Sequence, residues 1–159
     1  MAPWRETVPA DVAQVHGLLR KLAEYEKIEH EFVVTEADLS AALYGEQPKA
    51  QAMLAEVEGK AVGVCLWYRT FNSFAGKPGI WIEDVYVDPG YRNRGIARAA
   101  FRLLAARALD EGCTAVEWNV LDWNAPAISA YRAMGASARD GWTDQRVSGP
   151  ALATLAGRG

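Results

Sequence analysis

WIEDVYVDPGYRNRGIA, residues 81–97, places an apolar strand, a turn and an arginine-rich loop one after another. Most of residues 81–87 are β-branched or aromatic, and the Asp-Pro-Gly at 88–90 supplies the turn. Apolar side chains then recur at helical spacing from Ile96 to Ala108, so the loop opens a helix. The sequence therefore predicts a strand, a loop and a helix in succession.

The loop has the composition of a phosphate-binding site. Backbone N–H groups in the first turn of a helix lack helical partners and carry a partial positive charge, which favours an anion. Arg92, Arg94 and Arg98 add charge around this point. The loop lacks the Gly-Lys-Ser/Thr of a Walker loop, and its single glycine, Gly95, excludes the dinucleotide fingerprint. A solvated arginine-rich helix start is the alternative interpretation.

Length and composition predict a single domain over residues 1–159. Half of the 159 residues are apolar, and no apolar run approaches the ~18 residues of a membrane-spanning helix. The first residues lack the apolar run of a secretion signal, and Cys65 and Cys113 lie in no metal or redox motif. We therefore expect a cytoplasmic protein with reduced thiols and no metal.

The chain has a net charge of −3, whereas nucleic-acid-binding domains usually carry a clear excess of basic residues. A mildly acidic surface suits a small cationic molecule instead. We therefore expect no nucleic acid and no membrane among the partners.

Helical and strand patterns alternate along the rest of the chain. Helices are predicted over 11–28, from Thr35, from Ile96 to about Glu111, and over 125–134. Strands are predicted over 51–57, 61–68, 81–87, 115–120 and 142–147, with a hairpin connection at 58–60 and a loop at 71–78. Thr35 and Asp38 have the spacing of a capping box. This order predicts a mixed α/β fold with helices flanking a largely antiparallel sheet.

Arg92, Gly95 and Ala97 match the Arg-x-x-Gly-x-Ala form of a known pyrophosphate-binding loop, and the chain resembles the GCN5-related N-acetyltransferases that carry it. Asn124, followed seven residues later by Tyr131, resembles the region where many of these enzymes place the acid that protonates the coenzyme A thiolate. The order of elements is also the one expected of this fold. The alternatives are that Asn124 only caps a helix and that Tyr131 is a half-buried helical aromatic.

Five further motifs resemble the diamine acetyltransferases, the group that contains the spermidine/spermine and thialysine N-acetyltransferases. They lie at 22–26, 35–39, 82–84, 123–124 and 141–142. Segments 121–124, 71–74 and 155–157 look closer to the thialysine branch. Polyamine members carry Asp where Asn72 lies, so a carboxylate for a second ammonium group is missing. Asn93 also departs from the family, whose members usually have Gly there.

The resemblance implies a role for several polar residues. Glu83 would remove the proton of the amine substrate through water, and Tyr131 would protonate the departing thiolate. A proton must leave because an alkyl amine, with a pKa near ~10.4, is an ammonium ion at neutral pH. Tyr25, Glu26 and Glu83 would bind the substrate. Strand alternation would turn Asp84 to the face opposite Glu83.

Two alternatives stay open for these carboxylates. Glu83 can be a strand-end carboxylate paired with Arg or Lys, and the glutamates from Glu24 to Glu31 can form a solvated acidic helix face.

The resemblance also implies how acetyl-coenzyme A is bound as a co-substrate. Free backbone groups of the strand after Glu83 would pair with the pantetheine arm, and the loop would hold the pyrophosphate. The implied residues are Val85, Tyr86, Val87, Arg92, Asn93, Arg94, Gly95, Ile96, Ala97, Arg98, Asn124, Ala125, Pro126 and Tyr131.

Together these features predict an N-acetyltransferase that moves the acetyl group of acetyl-coenzyme A to a primary amine of a small molecule. The amine would be a thialysine- or lysine-like compound or a short diamine, attacking directly in a ternary complex. No acyl-enzyme is expected, because neither Cys65 nor Cys113 has an adjacent His. The resemblance further implies a homodimer. The alternatives are a polyamine or protein N-acetyltransferase and a non-catalytic acyl-coenzyme A binding or sensing module, which would not need Glu83 and Tyr131.

Overall fold

A five-stranded sheet runs through the part of the chain that the computed structural model describes, residues 3–158. Its strands are β1 (Trp4–Glu6), β2 (Gln51–Val57), β3 (Lys60–Asn72), β4 (Lys77–Val87) and β5 (Val116–Trp118), in that spatial order. The first four strands pair antiparallel, and β5 pairs parallel to β4. The predicted mixed α/β fold with a largely antiparallel sheet is therefore confirmed.

The helices are α1 (Val12–Glu26), α2 (Glu36–Tyr44), α3 (Ile96–Asp110), α4 (Ala125–Ala133) and α5 (Pro150–Leu155). The predicted capping box begins α2: the Asp38 amide donates to Thr35 Oγ1 at 3.1 Å, and the Thr35 amide donates to Asp38 Oδ2 at 2.9 Å. No helix among the described residues is long and apolar enough to cross a membrane.

The apolar faces of α1 and α2 pack on one face of the sheet. This core consists of Val12, Val15, Leu18, Leu19, Leu22, Leu39, Leu43, Ala52, Leu54, Val64 and Tyr86. Helix α3 contacts β3, β4 and β5, and its Ala100 and Leu104 are fully buried. Burial of this apolar surface fixes the end of α1 and the loop before α3 next to β4.

The chain divides into two compact units after Asn124. The first unit contains the sheet with α1, α2 and α3, and the second contains α4 and α5. In the second unit α4 ends just before Gly135, as expected. Gly135 has a φ of 93°, and the Ala136 amide donates to the Tyr131 carbonyl at 3.1 Å. The single domain over 1–159 stays a prediction.

Two predicted elements are wrong. Residues 142–147 form no strand, because the polar run from Thr143 to Arg146 has little apolar surface to bury. Residues 71–78 are not a loop but the tip of a hairpin, since β3 continues to Asn72 and β4 begins at Lys77. The Asn72 side chain forms the turn by accepting hydrogen bonds from the amides of Phe74 and Ala75 at 3.1 and 3.0 Å.

The remaining differences concern two short strands. The strand predicted over 115–120 is shorter and comprises Val116–Trp118. Strand β1 was not predicted, because its three residues are too few for a periodic pattern.

Candidate functional site

Strand β4 carries a β-bulge at Glu83. Asp84 pairs with Leu66 and Ile82 pairs with Trp67, so Glu83 is an extra residue without a partner in β3. An extra residue in one strand interrupts the alternation of side chains between the two faces. As a result, residues 83 and 84 do not follow the pattern expected of a regular strand.

The side chain of Glu83 lies beside those of two aromatic residues on neighbouring strand positions. The indole Nε1 of Trp81 donates to Glu83 Oε2 at 3.0 Å. Burial and the facing Glu83 carboxylate together raise the pKa of Tyr68, which pairs with Trp81. Asp84 lies opposite Leu66, two residues from Tyr68 along β3, so it shares their face of the sheet. The expectation that Asp84 turns away from Glu83 is wrong, and the bulge is the reason.

The pKa of Asp84 lies far above the usual range of a carboxyl group. Its pKa is raised from the usual 3.8 to about 7 by burial, and then by the negative charges of Glu83 and Glu26. Burial also raises the pKa of Glu26, which is the last residue of α1. We call Glu26, Glu83 and Asp84 the acidic cluster. Since the charges of Glu83 and Glu26 both act on Asp84, and Glu26 lies at the negative end of α1, the cluster favours a cation.

Tyr25 joins the acidic cluster to the segment before α4. Its hydroxyl donates to Asn124 Oδ1 at 3.4 Å, and its ring centroid lies 6.0 Å from that of Trp123. Asn124 is buried, with 7 % of its surface exposed. The fold therefore brings three predicted site residues to the end of the first unit where Asp84 lies. They are Tyr25, Glu26 and Asn124.

The arginine-rich loop is anchored at Asp88. Lys21 Nζ donates to the two oxygens of the buried Asp88 carboxylate at 2.8 and 3.0 Å, and the Asp88 amide donates to the Val62 carbonyl at 2.8 Å. Asn93 and Gly95 then take left-handed φ values of 61° and 74°. Asn tolerates this region better than other side chains, so the loop keeps its turn without the usual Gly at 93.

Helix α3 begins directly after this turn. The N-cap residue is Gly95, which has no side chain to cap the helix. The first helical hydrogen bond runs from the Ala99 amide to the Gly95 carbonyl, at 3.0 Å. In an α-helix the amides of the first turn have no helical acceptor, and the residues just before α3, Asn93 to Gly95, are exposed. Anion binding at this helix start stays a prediction.

The three arginines of the loop differ in their contacts. Arg92 Nε donates to the Val87 carbonyl at 2.9 Å, and its guanidinium lies over the rings of Tyr25 and Tyr86. Arg94 donates to the Gly90 carbonyl at 3.1 Å, whereas Arg98 is exposed on the first turn of α3. Arg92 is thus turned toward α1 and β4.

Strand β4 is paired on both edges only in its first half. On the β5 side the pairing covers Ile80–Ile82, and among the described residues no strand continues it along residues 83–87. On the other side Val85, Tyr86 and Val87 pair with β3. The backbone of residues 83–87 therefore presents one edge outside the sheet, as expected for the strand after Glu83.

Tyr131, Ala125 and Pro126 belong to the second unit. Tyr131 is half-buried in α4, and its carbonyl accepts from the Met134 amide at 3.0 Å. Its pairing with Glu83 in the reaction stays a prediction.

Three residues of this region were missed by sequence reasoning: Tyr68, Trp81 and Asp84. An uninterrupted Glu-Asp pair inside an apolar strand was the available signal, because a carboxylate in such a strand is costly without a function. Within residues 3–158 no group of three or more His, Cys, Asp or Glu side chains is arranged to hold a metal ion.

Comparison with known proteins gives consistent matches over nearly the whole chain. The sequence model of the acetyltransferase (GNAT) family matches residues 17–136. Thialysine N-epsilon-acetyltransferase of Bos taurus is 36 % identical, over 97 % of this chain and 96 % of its own length. L-ornithine N5-acetyltransferase NATA1 of Arabidopsis thaliana is 26 % identical, over 95 % of this chain and 86 % of its own.

The fold is also shared with solved structures. An integron cassette protein from the mobile metagenome of V. cholerae superposes with a TM-score of 0.82 at 21 % identity, covering 98 % of both chains. The sequence resemblance is thereby confirmed: the chain belongs to the acetyltransferase (GNAT) family and is an acetyltransferase.

Proposed function

We propose that this protein transfers the acetyl group of acetyl-coenzyme A to a primary amine of a small molecule, a thialysine- or lysine-like compound or a short diamine. The observation that carries the proposal is the acidic cluster, in which Asp84 is largely buried and lies close enough to Glu26 and Glu83 for their charges to raise its pKa. The names of the relatives, thialysine and L-ornithine acetyltransferases, support the same class of substrate.

The acidic cluster is suited to bind the ammonium form of the substrate. An alkyl amine with a pKa near ~10.4 arrives protonated at neutral pH. Its charge offsets the burial of the Asp84 carboxylate and the repulsion by Glu83 and Glu26, which together raise the pKa of Asp84. Tyr25, next to Glu26 at the end of α1, would form one wall of the amine site.

We propose that the pair Glu83 and Asp84 takes the proton from the ammonium group. A general base works best when its pKa lies near the working pH, and Asp84 meets this condition. Glu83, held by Trp81 at the bulge, would orient the amine or a bridging water. The freed nitrogen then attacks the thioester carbonyl, so that a C–N bond forms as the C–S bond breaks; the nitrogen gives up its second proton, which balances the one that the leaving thiolate takes up.

Tyr131 is proposed as the acid that protonates the leaving thiolate, on the strength of its sequence motif. A phenol with an ordinary pKa near ~10 can donate to a thiolate of similar basicity.

Direct transfer, without an acyl-enzyme, is supported by the state of Cys65. Burial raises the pKa of its thiol to about 12, with a further contribution from the Asp84 charge. A thiol of this kind is not ionised at neutral pH and is a poor nucleophile.

Acetyl-coenzyme A supplies the thioester whose acetyl group is transferred. The edge of β4 at Val85, Tyr86 and Val87 would hold its pantetheine arm, and the loop from Arg92 to Arg98 would hold its pyrophosphate at the start of α3. Roles for Asn124, Ala125 and Pro126 in coenzyme binding are proposed from the resemblance.

Asn72 supports a small amine over a long polyamine. Its side chain is uncharged, and its oxygen is used by two amides of the hairpin turn. A second ammonium group would find no carboxylate at this position. The single domain, the cytoplasmic location, the homodimer and the absence of nucleic-acid and membrane partners stay predictions.

A panel assay tests the proposed function. With acetyl-coenzyme A, purified protein should acetylate thialysine, lysine and a four-carbon diamine, and should use spermidine roughly tenfold less efficiently, which corresponds to ~1.4 kcal/mol for one missing charge contact. Product masses and thiol release measure the reaction. Coenzyme binding without acetylation of any amine would favour the sensing module instead.

The pH dependence of kcat/KM tests the base. Because Asp84 accepts a proton only when it is ionised, kcat/KM should rise with pH through a midpoint near 7 and reach a plateau above it. Asp84→Asn should lower kcat/KM by roughly 10²–10⁴-fold and remove this step. Glu83→Gln should move the midpoint to lower pH, since the Glu83 charge contributes to the raised pKa.

Asp110→Asn, at the exposed end of α3, is the matched control and should leave the profile unchanged. A profile whose midpoint persists in Asp84→Asn would assign the titrating group elsewhere.

Tyr131→Phe tests the acid. The variant should bind acetyl-coenzyme A normally and turn over amines roughly 10²–10⁴-fold more slowly, because only the proton donor is lost. Binding is measured by calorimetry and turnover by thiol release. Tyr44→Phe, which removes a hydroxyl that donates to Thr7, is the control. Unchanged turnover in Tyr131→Phe would rule out the assignment.

A further inference from the structure

Arg92 makes contacts that a residue serving only to hold phosphate would not need. Its Nε donates to the Val87 carbonyl at 2.9 Å, which places the guanidinium next to the end of β4. The guanidinium carbon lies 4.6 Å from the ring centroid of Tyr25 and 5.7 Å from that of Tyr86. It therefore contacts one aromatic ring on α1 and one on β4.

Tyr25 extends these contacts toward the amine side of the site. It precedes Glu26 of the acidic cluster, its ring faces Trp123, and its hydroxyl donates to Asn124. Lys27 Nζ lies 5.6 Å from the centroid of Trp123. Two cations and three aromatic rings thus form one series of contacts, which we call the cation–aromatic stack: Lys27, Trp123, Tyr25, Arg92 and Tyr86.

We propose that Arg92 is a positioning residue that couples amine binding to coenzyme binding, an inference that rests on the proposed function. Arg92 is adjacent to Asn93, the first left-handed residue of the loop, so a ligand that orders the loop also orders Arg92. The ordered guanidinium restrains the ring of Tyr25, and with it the wall of the amine site beside Glu26. The second ligand then loses less conformational freedom on binding than the first, which makes binding cooperative without a large movement.

The chemistry of the stack requires arginine rather than any cation. A planar guanidinium can lie flat against an aromatic face while its Nε donates to a carbonyl, whereas the compact ammonium of lysine cannot do both. Lysine at position 92 keeps the charge that a phosphate needs. Arg92→Lys therefore separates a positioning role from simple charge attraction.

The test measures the Kd of thialysine with and without coenzyme A, whose lack of an acetyl group prevents turnover. In the unchanged protein, coenzyme A should tighten amine binding about fivefold or more, at the lower end of typical coupling. Arg92→Lys should abolish the coupling, and should weaken coenzyme A binding by no more than the several-fold loss expected of Tyr25→Leu, because both variants remove the same contact. Arg102→Lys, exposed on α3, is the matched control and should retain it.

Tyr25 variants supply a second measurement that needs no amine. Tyr25→Leu removes the ring and should weaken coenzyme A binding several-fold, although Tyr25 lies on α1 and outside the loop. Tyr25→Phe keeps the ring and should restore tight binding. Coupling retained in Arg92→Lys, or coenzyme A binding unaffected by Tyr25→Leu, would overturn the inference. Failure of the proposed function is distinguishable, because it would abolish acetylation of every amine in the unchanged protein.

Discussion

The β-bulge at Glu83 is the constraint on which the candidate site depends. A regular strand would send the carboxylates of residues 83 and 84 to opposite faces, one of them into the core. The extra residue brings both to the face that carries Tyr68 and Trp81, and the end of α1 adds Glu26. The resulting repulsion is unfavourable for folding, and the packing of α1 on the sheet must offset it. A group whose charge is disfavoured in this way is the kind of group that accepts a proton near neutral pH.

The same strand connects this cluster to the loop. Beyond the bulge, the described strands pair with β4 on one edge, and β4 ends at Val87, directly before Asp88, which Lys21 of α1 holds in place. The left-handed turn at Asn93 and Gly95 then directs the chain into α3. Helix α1 therefore contributes to both halves of the site, through Lys21 at the loop and through Tyr25 and Glu26 at the acidic cluster. Arg92 lies between these halves, in contact with Tyr25 and Tyr86.

Short sequence patterns correctly predicted the features that depend on neighbouring residues in the chain. Periodicity located α1 and α3, the Thr35 capping box began α2, and the resemblance of the arginine-rich loop led to the correct family. The bulge could not be predicted, because it depends on how β3 and β4 pair along the whole hairpin, and a shift of the register by one residue exchanges the faces. Asp84 was missed as a site residue for this reason alone. The extent of the β3–β4 hairpin likewise depends on strand pairing, whereas residues 142–147 form no strand because their polar run has little apolar surface to bury.

The pKa of Asp84 is the quantity on which the account of the site rests, and it can be measured without substrate. Carbon-13 labelling of the aspartates, with Asp84→Asn to assign the resonance, gives the carboxyl chemical shift as a function of pH. The account predicts a midpoint near 7, well above the usual 3.8, because the group is buried beside Glu83 and Glu26. A midpoint near 4 would show that the three carboxylates do not act on one another, and would contradict the assignment of this cluster as the base.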